Sequence, residues 1–593
     1  MAKSTAPPSP SSTTGTSTAT NAEPQPDDLR SLGESTATDP DPMAFAGIPP
    51  RPFTLGEKIS GSVGTLKPAG GGAATEDKAP RDSEATGIIR MIGLSRAEFF
   101  HDPAGDPYVT APVDDHRETY ALSSRGYWSW LNHTLYQRTR KSPSKTAMQA
   151  ATATLAGVAR FEGPTYPVHL RVAECAGALW LDLCNPVWQV IRITSKGWEV
   201  VTDGPVRFVR TRGMQPLPVP TRRGSLNGLR PFLNVTDKDF QLVIAWLIAG
   251  VRPTGPYPAL VPTGEQGTAK STTARVVRRT IDPHRSDLRR PPGNSEDLMI
   301  SAVNNHVVTL ENVSSMPDWL SDDLAALATG GGLSKRGLYT NTEECNLYAQ
   351  RPLIINGIGQ VVTRPDLLDR SLVLQLQVIP DTKRREESEF WPAFDRAHPA
   401  ILGALLDAVV MALRNHATVR LPQKPRMADF AVWVVAAEPA CPWPAGAFLT
   451  TYADHTQDAI EAMLDGDPVG DVVRALAPWS GIATELLKEL NERTPEAVRW
   501  HPKWYSGPRQ VADALRRLAP ALRRTGIAVT FEKQSHTRRR LIILERTDDA
   551  AASGIAGIAA PDAASPDSAN VSGLGDRRDR RDRISLVIEK KEG

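Results

Sequence analysis

The stretch GEQGTAKSTT, Gly264 to Thr273, constrains this chain more than any other. The apolar run YPALVPT leads into it, and STTARVVRRTI follows. A buried strand, a glycine-bearing turn, Lys-Ser and a helix make one unit, and that unit calls for a parallel sheet with helices packed on it. The backbone N–H groups of such a turn, with the helix N-terminus behind them, can hold an anion. The candidate cradle is Gly264, Glu265, Gln266, Gly267, Thr268, Ala269, Lys270, Ser271 and Thr272. In this arrangement Lys270 reaches phosphate oxygens and the Ser271 hydroxyl binds Mg2+. Ala269 stands where the usual pattern has glycine. One methyl is tolerable there if φ is negative; a positive φ would make it a fault.

Three further elements follow in order. HVVTLENVSS lies downstream, with Glu311 41 residues after Lys270 and just past Val307, Val308 and Leu310. A carboxylate at the C-terminal end of a buried strand sits where ligands collect in such sheets. Glu311 is therefore a candidate catalytic residue and metal ligand, and a surface strand cap is the alternative. Asn312 stands where a second, water-activating acid is common. RPLIINGI ends its apolar run in Asn356, a group able to orient water or a γ-phosphate, or simply a buried turn residue. In TRPDLLDRSLVLQL, Arg364 and Arg370 flank a short helical turn. Of the two, Arg370 is the better candidate to reach a neighbouring subunit's γ-phosphate; Arg364 is the weaker one and equally suits a surface ion pair.

GEQGTAKST, VVTLENVS, LATGGGLSKRGLYTNTEE, RPLIINGI and PDLLDRSLVLQL, in this order, resemble the AAA+ type ATPases of phages, prophages and other mobile elements, close to superfamily 3 helicases. The resemblance covers about residues 86–548. It implies an α/β fold with a P-loop AAA+ type ATPase core, bound ATP and Mg2+, and a homo-oligomeric ring around DNA. Lys270, Ser271, Glu311, Asn356 and Arg370 take the Walker A, Walker B, sensor and arginine-finger roles in that comparison. It also implies a basic channel hairpin, to which Lys335 and Arg336 correspond; a solvated surface loop is the alternative. Ala269 and Asn312 depart from the commonest pattern, and both bear on hydrolysis more than on binding.

Charge is concentrated near the C-terminus. The whole chain has a net charge of +2, yet residues 499–546 carry twelve Lys or Arg against Asp513, Glu532 and Glu545. Such a block is an electrostatic footprint for phosphate. Within it Val511, Leu515, Leu518 and Leu522 form one apolar helical stripe, with Arg509, Arg516, Arg523 and Arg524 largely off it. Two strands follow, and Arg538, Arg539 and Arg540 lead into the second. Helices followed by a hairpin describe a winged helix. It binds DNA through these arginines or, alternatively, a protein partner.

The remaining expectations are of organisation. Residues 1–85 and 549–593 are Ser-, Pro-, Ala- and Gly-rich or carry mixed charge, and are expected to be disordered tails. DRRDRRDR, in the second tail, is a solvated run or a weak nucleic-acid contact. Between the tails the chain reads as a small N-terminal α+β accessory domain at 86–215, the ATPase domain at 216–395, a helical connector at 396–465 and the winged helix at 466–548. Trp128, Trp130, Trp180, Trp188 and Trp198 read as core rather than as base-stacking platforms. The four cysteines form no CxxC pair, so a structural zinc is not expected. No apolar run reaches 18 residues and the N-terminus lacks a secretory core, which points to a cytoplasmic protein without a membrane partner. Three functions are open to such a chain: an ATP-dependent DNA helicase or translocase for replication of a mobile element, a non-motor DNA-binding initiator or regulator with ATP as an assembly switch, and a primase–helicase fusion. The fusion needs paired carboxylates on a strand, and Asp114 and Asp115 lack an apolar strand to present them.

Overall fold

A computed structural model describes residues 83–336, 344–357, 359, 361–500, 504–533 and 540–547. Residues 1–82 of the expected N-terminal tail, the whole expected tail 549–593, and Arg538 and Arg539 lie outside these residues. Helix α1 (Glu84–Gly93) begins two residues inside the expected N-terminal tail, because Ser83 caps it by accepting from the Thr86 N–H at 3.2 Å. Next come β1 (Glu98–His101), β2 (Pro107–Val113) and β3 (His116–Ala121), an antiparallel sheet in that order. Helices α2 (Arg125–Thr139) and α3 (Lys145–Phe161), also capped by serines, close a core around Ile88, Ile92, Phe99, Val109, Leu131 and Leu155.

A second set of strands follows: β4 (Val168–His169), β5 (Val172–Cys175), β6 (Ala178–Asp182), β7 (Val190–Thr194), β8 (Gly197–Val201) and β9 (Arg207–Phe208). Strands β5 to β8 form an antiparallel meander, and β4 pairs with β9 in parallel. Leu179, Leu181, Ile191, Ile193 and Trp198 from the meander join the large core of the following domain. Trp130, Trp180 and Trp198 are buried, as expected; Trp128 and Trp188 are half-buried, and Arg210 stacks on Trp188 at 3.7 Å.

The central part comprises α4 (Asp237–Gly250), β10 (Ala259–Thr263), α5 (Lys270–Ile281), α6 (Ser295–Asn304), β11 (Val308–Val313), α7 (Asp318–Thr329), β12 (Gly331–Arg336), β13 (Glu344–Ala349), β14 (Leu353–Gly357), α8 (Pro365–Leu368) and β15 (Ser371–Gln375). Strands β11, β14, β10 and β15 lie side by side in that order, all parallel. Side chains alternate across a strand, so this sheet is a wall between two cores. Leu260, Ile354, Leu372 and Leu374 face one core, while Ala259, Val261, Leu353 and Ile355 face the other. From Leu242 to Gly250 helix α4 is apolar all round because that stretch lies inside the first core, while Asp237 and Lys238 of its first turn are exposed.

Helices α9 (Glu387–Asn415), α10 (Ala428–Ala437) and α11 (Ala447–Asp465) complete that core. Among the described residues α9 is the one helix long and apolar enough to cross a bilayer, but Phe394, Leu402, Leu405, Leu406 and Val409 are buried within the protein. Segment 221–224 crosses α9 at backbone contact: a Cβ on Gly403 would run into the Thr221 carbonyl, and one on Gly224 into the Ala400 carbonyl. Pro399 helps to fix this crossing, since its carbonyl accepts the Thr221 N–H at 3.0 Å.

The last unit is α12 (Pro468–Leu476), β16 (Trp479–Ile482), α13 (Ala483–Arg493), α14 (Glu496–Arg499), α15 (Pro508–Arg524), β17 (Ile527–Lys533) and β18 (Arg540–Arg546). Its antiparallel sheet has the order β16-β18-β17. Val511, Leu515, Leu518 and Leu522, the predicted stripe, are all buried. They share the second core with the parallel sheet through Ile460, Met463 and Leu464 of α11.

Candidate functional site

The C-terminal ends of three parallel strands meet at one edge. Leu260 pairs with Ile354 and Leu310 with Ile355, so the ends of β10, β14 and β11 lie level. The loop from Gly264, Asn356 and Glu311 therefore share that edge. With strands ~5 Å apart, Glu311 stands about 10 Å from the line of β10, and Asn356 lies between. Sequence spacing alone gave the order of these residues; the crossover topology brings them together.

The loop is tightly bound to its surroundings. Thr268 is buried and its hydroxyl donates to the Glu265 carbonyl at 2.9 Å. The Lys270 ammonium donates to the carbonyls of Gly264 and Glu265 at 2.8 and 2.6 Å, folded over the turn. Asn234 donates from Nδ2 to the Thr268 carbonyl at 3.1 Å and to the Gln377 carbonyl at 2.5 Å, tying the loop to the exit of β15. Among the described residues no side chain caps α5, which leaves its first N–H groups available.

Ala269 adopts φ +64° and ψ +32°, the left-handed region. The favourable condition set by the sequence reading, a negative φ, is not met. The loop needs the conformation that glycine supplies, and alanine adopts it at a steric cost. Asn312 has φ +57°, a conformation Asn tolerates better than most residues. It forms a bulge in which the pairing of β11 with β14 jumps from Leu310 to Val313. Asn356 supports this bulge: its Oδ1 accepts the Asn312 N–H at 3.0 Å. The Asn356 side-chain amide Nδ2, buried in a residue 3% exposed, has no partner among the described residues. Glu311 is half-buried, and its N–H donates to the Arg289 carbonyl at 2.6 Å.

Other predicted residues stand apart. Ser371 pairs with Ala259 and Gln375 with Thr263, so the Arg370 backbone lies at the opposite end of the sheet, roughly 20 Å from its own loop. Its Nη1 donates to the Asp366 carbonyl at 2.7 Å and also binds the Asp366 carboxylate; its Nε is buried without a partner among the described residues. Arg364 pairs with Asp318 and Asp322, the surface role the sequence suggested. In the hairpin of β12 and β13, Lys335 pairs with Cys345 and Arg336 with Glu344 along the backbone. On α15, Arg509, Arg516, Arg517, Arg523 and Arg524 are exposed. Arg509 and Arg516 engage Asp513, and Arg524 engages Asp369, next to Arg370, at 3.2 Å. Arg540 is exposed at the start of β18.

The sequence reading missed a buried charge cluster behind the loop helix. Arg171, from the turn before β5, is fully buried and donates to Asp282 at 3.0 Å. It also donates to the carbonyls of Asp182, Gln215 and Pro283. Arg278 of α5 is fully buried beside Asp282 and donates to Thr309 and Asn305. Burial alone would raise the Asp282 pKa, but Arg171, Arg278 and His306 override it and hold the carboxyl at about 2. No local signal marks a partner 111 residues away. The one hint is an arginine between the apolar residues Leu170 and Val172 of VHLRVA.

Residues 226–458 match the family model described as actinomycete integrative conjugative element replication protein, and residues 467–560 match the one described as AICE RepA C-terminal domain. The two matches together span more than half of the 593 residues. The class is thus a replication protein of a mobile element. More narrowly, the chain belongs to the actinomycete integrative conjugative element replication protein family. No curated protein matches it. Two solved apo structures of the NrS-1 C-terminal region are 12% and 14% identical to it. Each covers 78% of this chain and 100% of its own, with a TM-score of 0.36.

Proposed function

We propose that this replication protein binds ATP with Mg2+ at the Gly264–Thr272 loop, hydrolyses it between subunits of a ring, and uses the cycle to move on DNA as a helicase or translocase. One observation carries the reading: a parallel sheet brings the Lys270 loop, Asn356 and Glu311 to a single edge. The residues there fit a nucleoside triphosphate and its metal. The Lys270 ammonium holds loop carbonyls that an anion would replace, and the buried Asn356 amide has a donor to spare. Bound Mg2+ would neutralise charge on the transferring phosphoryl group. Lys270 binds phosphate, Ser271 and Glu311 hold the metal, and Asn356 orients water or the terminal phosphate. The strand order 11-14-10-15 supports a P-loop AAA+ core.

Arg370 serves a neighbour in this reading, because it is too far from its own loop. The unit after residue 466 supports a winged helix, with one more strand than the sequence suggested. Its basic helix α15 and the Arg538–Arg540 wing meet DNA phosphates, and Lys335 and Arg336 touch DNA from the hairpin. The reading predicts ATPase activity that is stimulated by single-stranded DNA and abolished in Lys270→Ala. Binding of ATP without turnover, by folded protein with DNA present, would refute the motor.

One observation favours a switch instead of a motor. The side chain of Asn356 is partly spent on the Asn312 backbone, and Asn312 brings no carboxylate. ATP would then assemble an initiator on DNA without steady turnover. Nucleotide-dependent oligomer formation in the absence of hydrolysis would support this second reading.

A further inference from the structure

The chain leaving β15 runs back across the phosphate loop. Leu376 N–H donates to the Thr263 carbonyl at 2.9 Å, and the Leu376 carbonyl packs against Gly264. Three cations follow in a row: Lys383, Arg384 and Arg385. Their surroundings differ. The Arg385 guanidinium lies 5.2 Å from the Phe390 ring and 5.9 Å from the Phe232 ring, and reaches the Pro231 carbonyl, so it is part of the packing. Arg384 instead lies over the loop, since a Cβ added to Gly267 would meet its Nη2 at 3.3 Å. Its partner is Asp381 at 3.0 Å; the two side chains are 59% and 86% exposed. A pair so open to water is weak and easily exchanged. A phosphate in the loop is a stronger acceptor for a planar guanidinium, which binds it through two parallel N–H donors.

We infer that Arg384 is a phosphate-binding residue of its own subunit's loop, closing the nucleotide site from the β15 side and exchanging Asp381 for a phosphate when the site fills. This rests on the loop holding a nucleotide, as proposed above. Glycine suits the position beneath it: the Gly267 φ of +86° is one that other residues rarely adopt, and a Cβ there would press on the guanidinium at 3.3 Å.

The test is binding of ADP and ATP to the full chain, read by titration and by the nucleotide-induced rise in melting temperature. Arg384→Ala should weaken both nucleotides by about tenfold or more, the scale of one charge-assisted pair, while the melting temperature without nucleotide stays unchanged. Arg384→Lys should recover only part of the loss, since an ammonium cannot make the paired contact. Lys383→Ala, which removes the same charge one residue earlier, should bind normally. Wild-type affinity in Arg384→Ala, alongside loss in Lys270→Ala, would overturn the Arg384 assignment and leave the loop reading intact. An equal loss in Lys383→Ala would reduce the effect to general charge and overturn the direct contact. No binding by the wild-type chain would remove the loop reading itself.

Discussion

Replacing Ala269 with glycine tests the shape of the loop independently of any ligand. Ala269 sits at φ +64° and ψ +32°. An L-residue in that region pays about 1–2 kcal/mol, from the crowding of Cβ against the following carbonyl. Glycine escapes that cost but loses about 0.4–1 kcal/mol through a more disordered unfolded chain. The difference favours Ala269→Gly by roughly 0.5–1 kcal/mol. For a large cooperative unit this is a rise of about 1–3 °C in melting temperature, or about 0.2–0.3 M in the urea midpoint at an m value near 3 kcal/mol/M. Ala269→Val should move the other way by more than about 1 kcal/mol, because a β-branched residue tolerates positive φ poorly. Both variants would be measured without nucleotide by urea unfolding, with the slope checked for constancy. A lower midpoint for Ala269→Gly, or an unchanged one for Ala269→Val, would refute the left-handed assignment.

Other parts of the structure give further expectations. Asp282→Asn leaves Arg171 buried without its counter-charge and should cost about 3–5 kcal/mol in chemical denaturation; a loss below 1 kcal/mol would contradict the buried pairing. Burial lowers His169, His284, His306 and His398 to about 4, so they are neutral in the fold but take up protons near pH 6.5 when unfolded. The unfolded chain therefore binds more protons across this window, and stability should fall as pH drops from about 6.5 towards 4. Asp282, depressed to about 2, adds a further loss as pH falls below the ordinary carboxylate value of 3.8. A urea midpoint that stays flat from pH 7.5 to 5 would count against this account. Gly403→Ala drives a methyl into the Thr221 carbonyl and should destabilise by about 1–3 kcal/mol, read as a drop in melting temperature. Arg523 is exposed and takes no carboxylate among the described residues. If the basic helix meets DNA, Arg523→Ala should weaken binding uniformly across sequences and lower the salt slope by about 1.

The legible parts of the chain were those whose signals are local. The apolar runs of β10, β11, β14 and β15, and the stripe on α15, show their period within a few residues. The first sheet was not legible: β1 is four residues long, β2 contains Pro107 and Pro112, and β3 is mostly polar. Strand β16 was hidden for a similar reason, as WSGI is short and glycine-bearing and runs directly into α13. At the candidate site the spacing of Lys270, Glu311 and Asn356 was readable because each follows a buried strand. The conformation of Ala269 was not, since residue type suggests a φ preference and the loop overrides it. Arg384 was equally invisible, because a cation in a polar run declares no partner until the chain folds back.

The Arg171–Asp282 pair has a practical consequence for dissecting the molecule. The matched family segment starts at residue 226, which makes it an obvious place to cut. Such a cut would discard Arg171 yet keep Asp282 and Arg278, and would strip Leu181, Ile191 and Trp198 from the core they fill. The excised piece would leave Asp282 without the arginine that hydrogen-bonds it and would carry an open apolar flank, and its silence in an assay would say nothing about the intact protein. A minimal fragment has to begin upstream of β4, so that the matched segment travels with the meander that completes it.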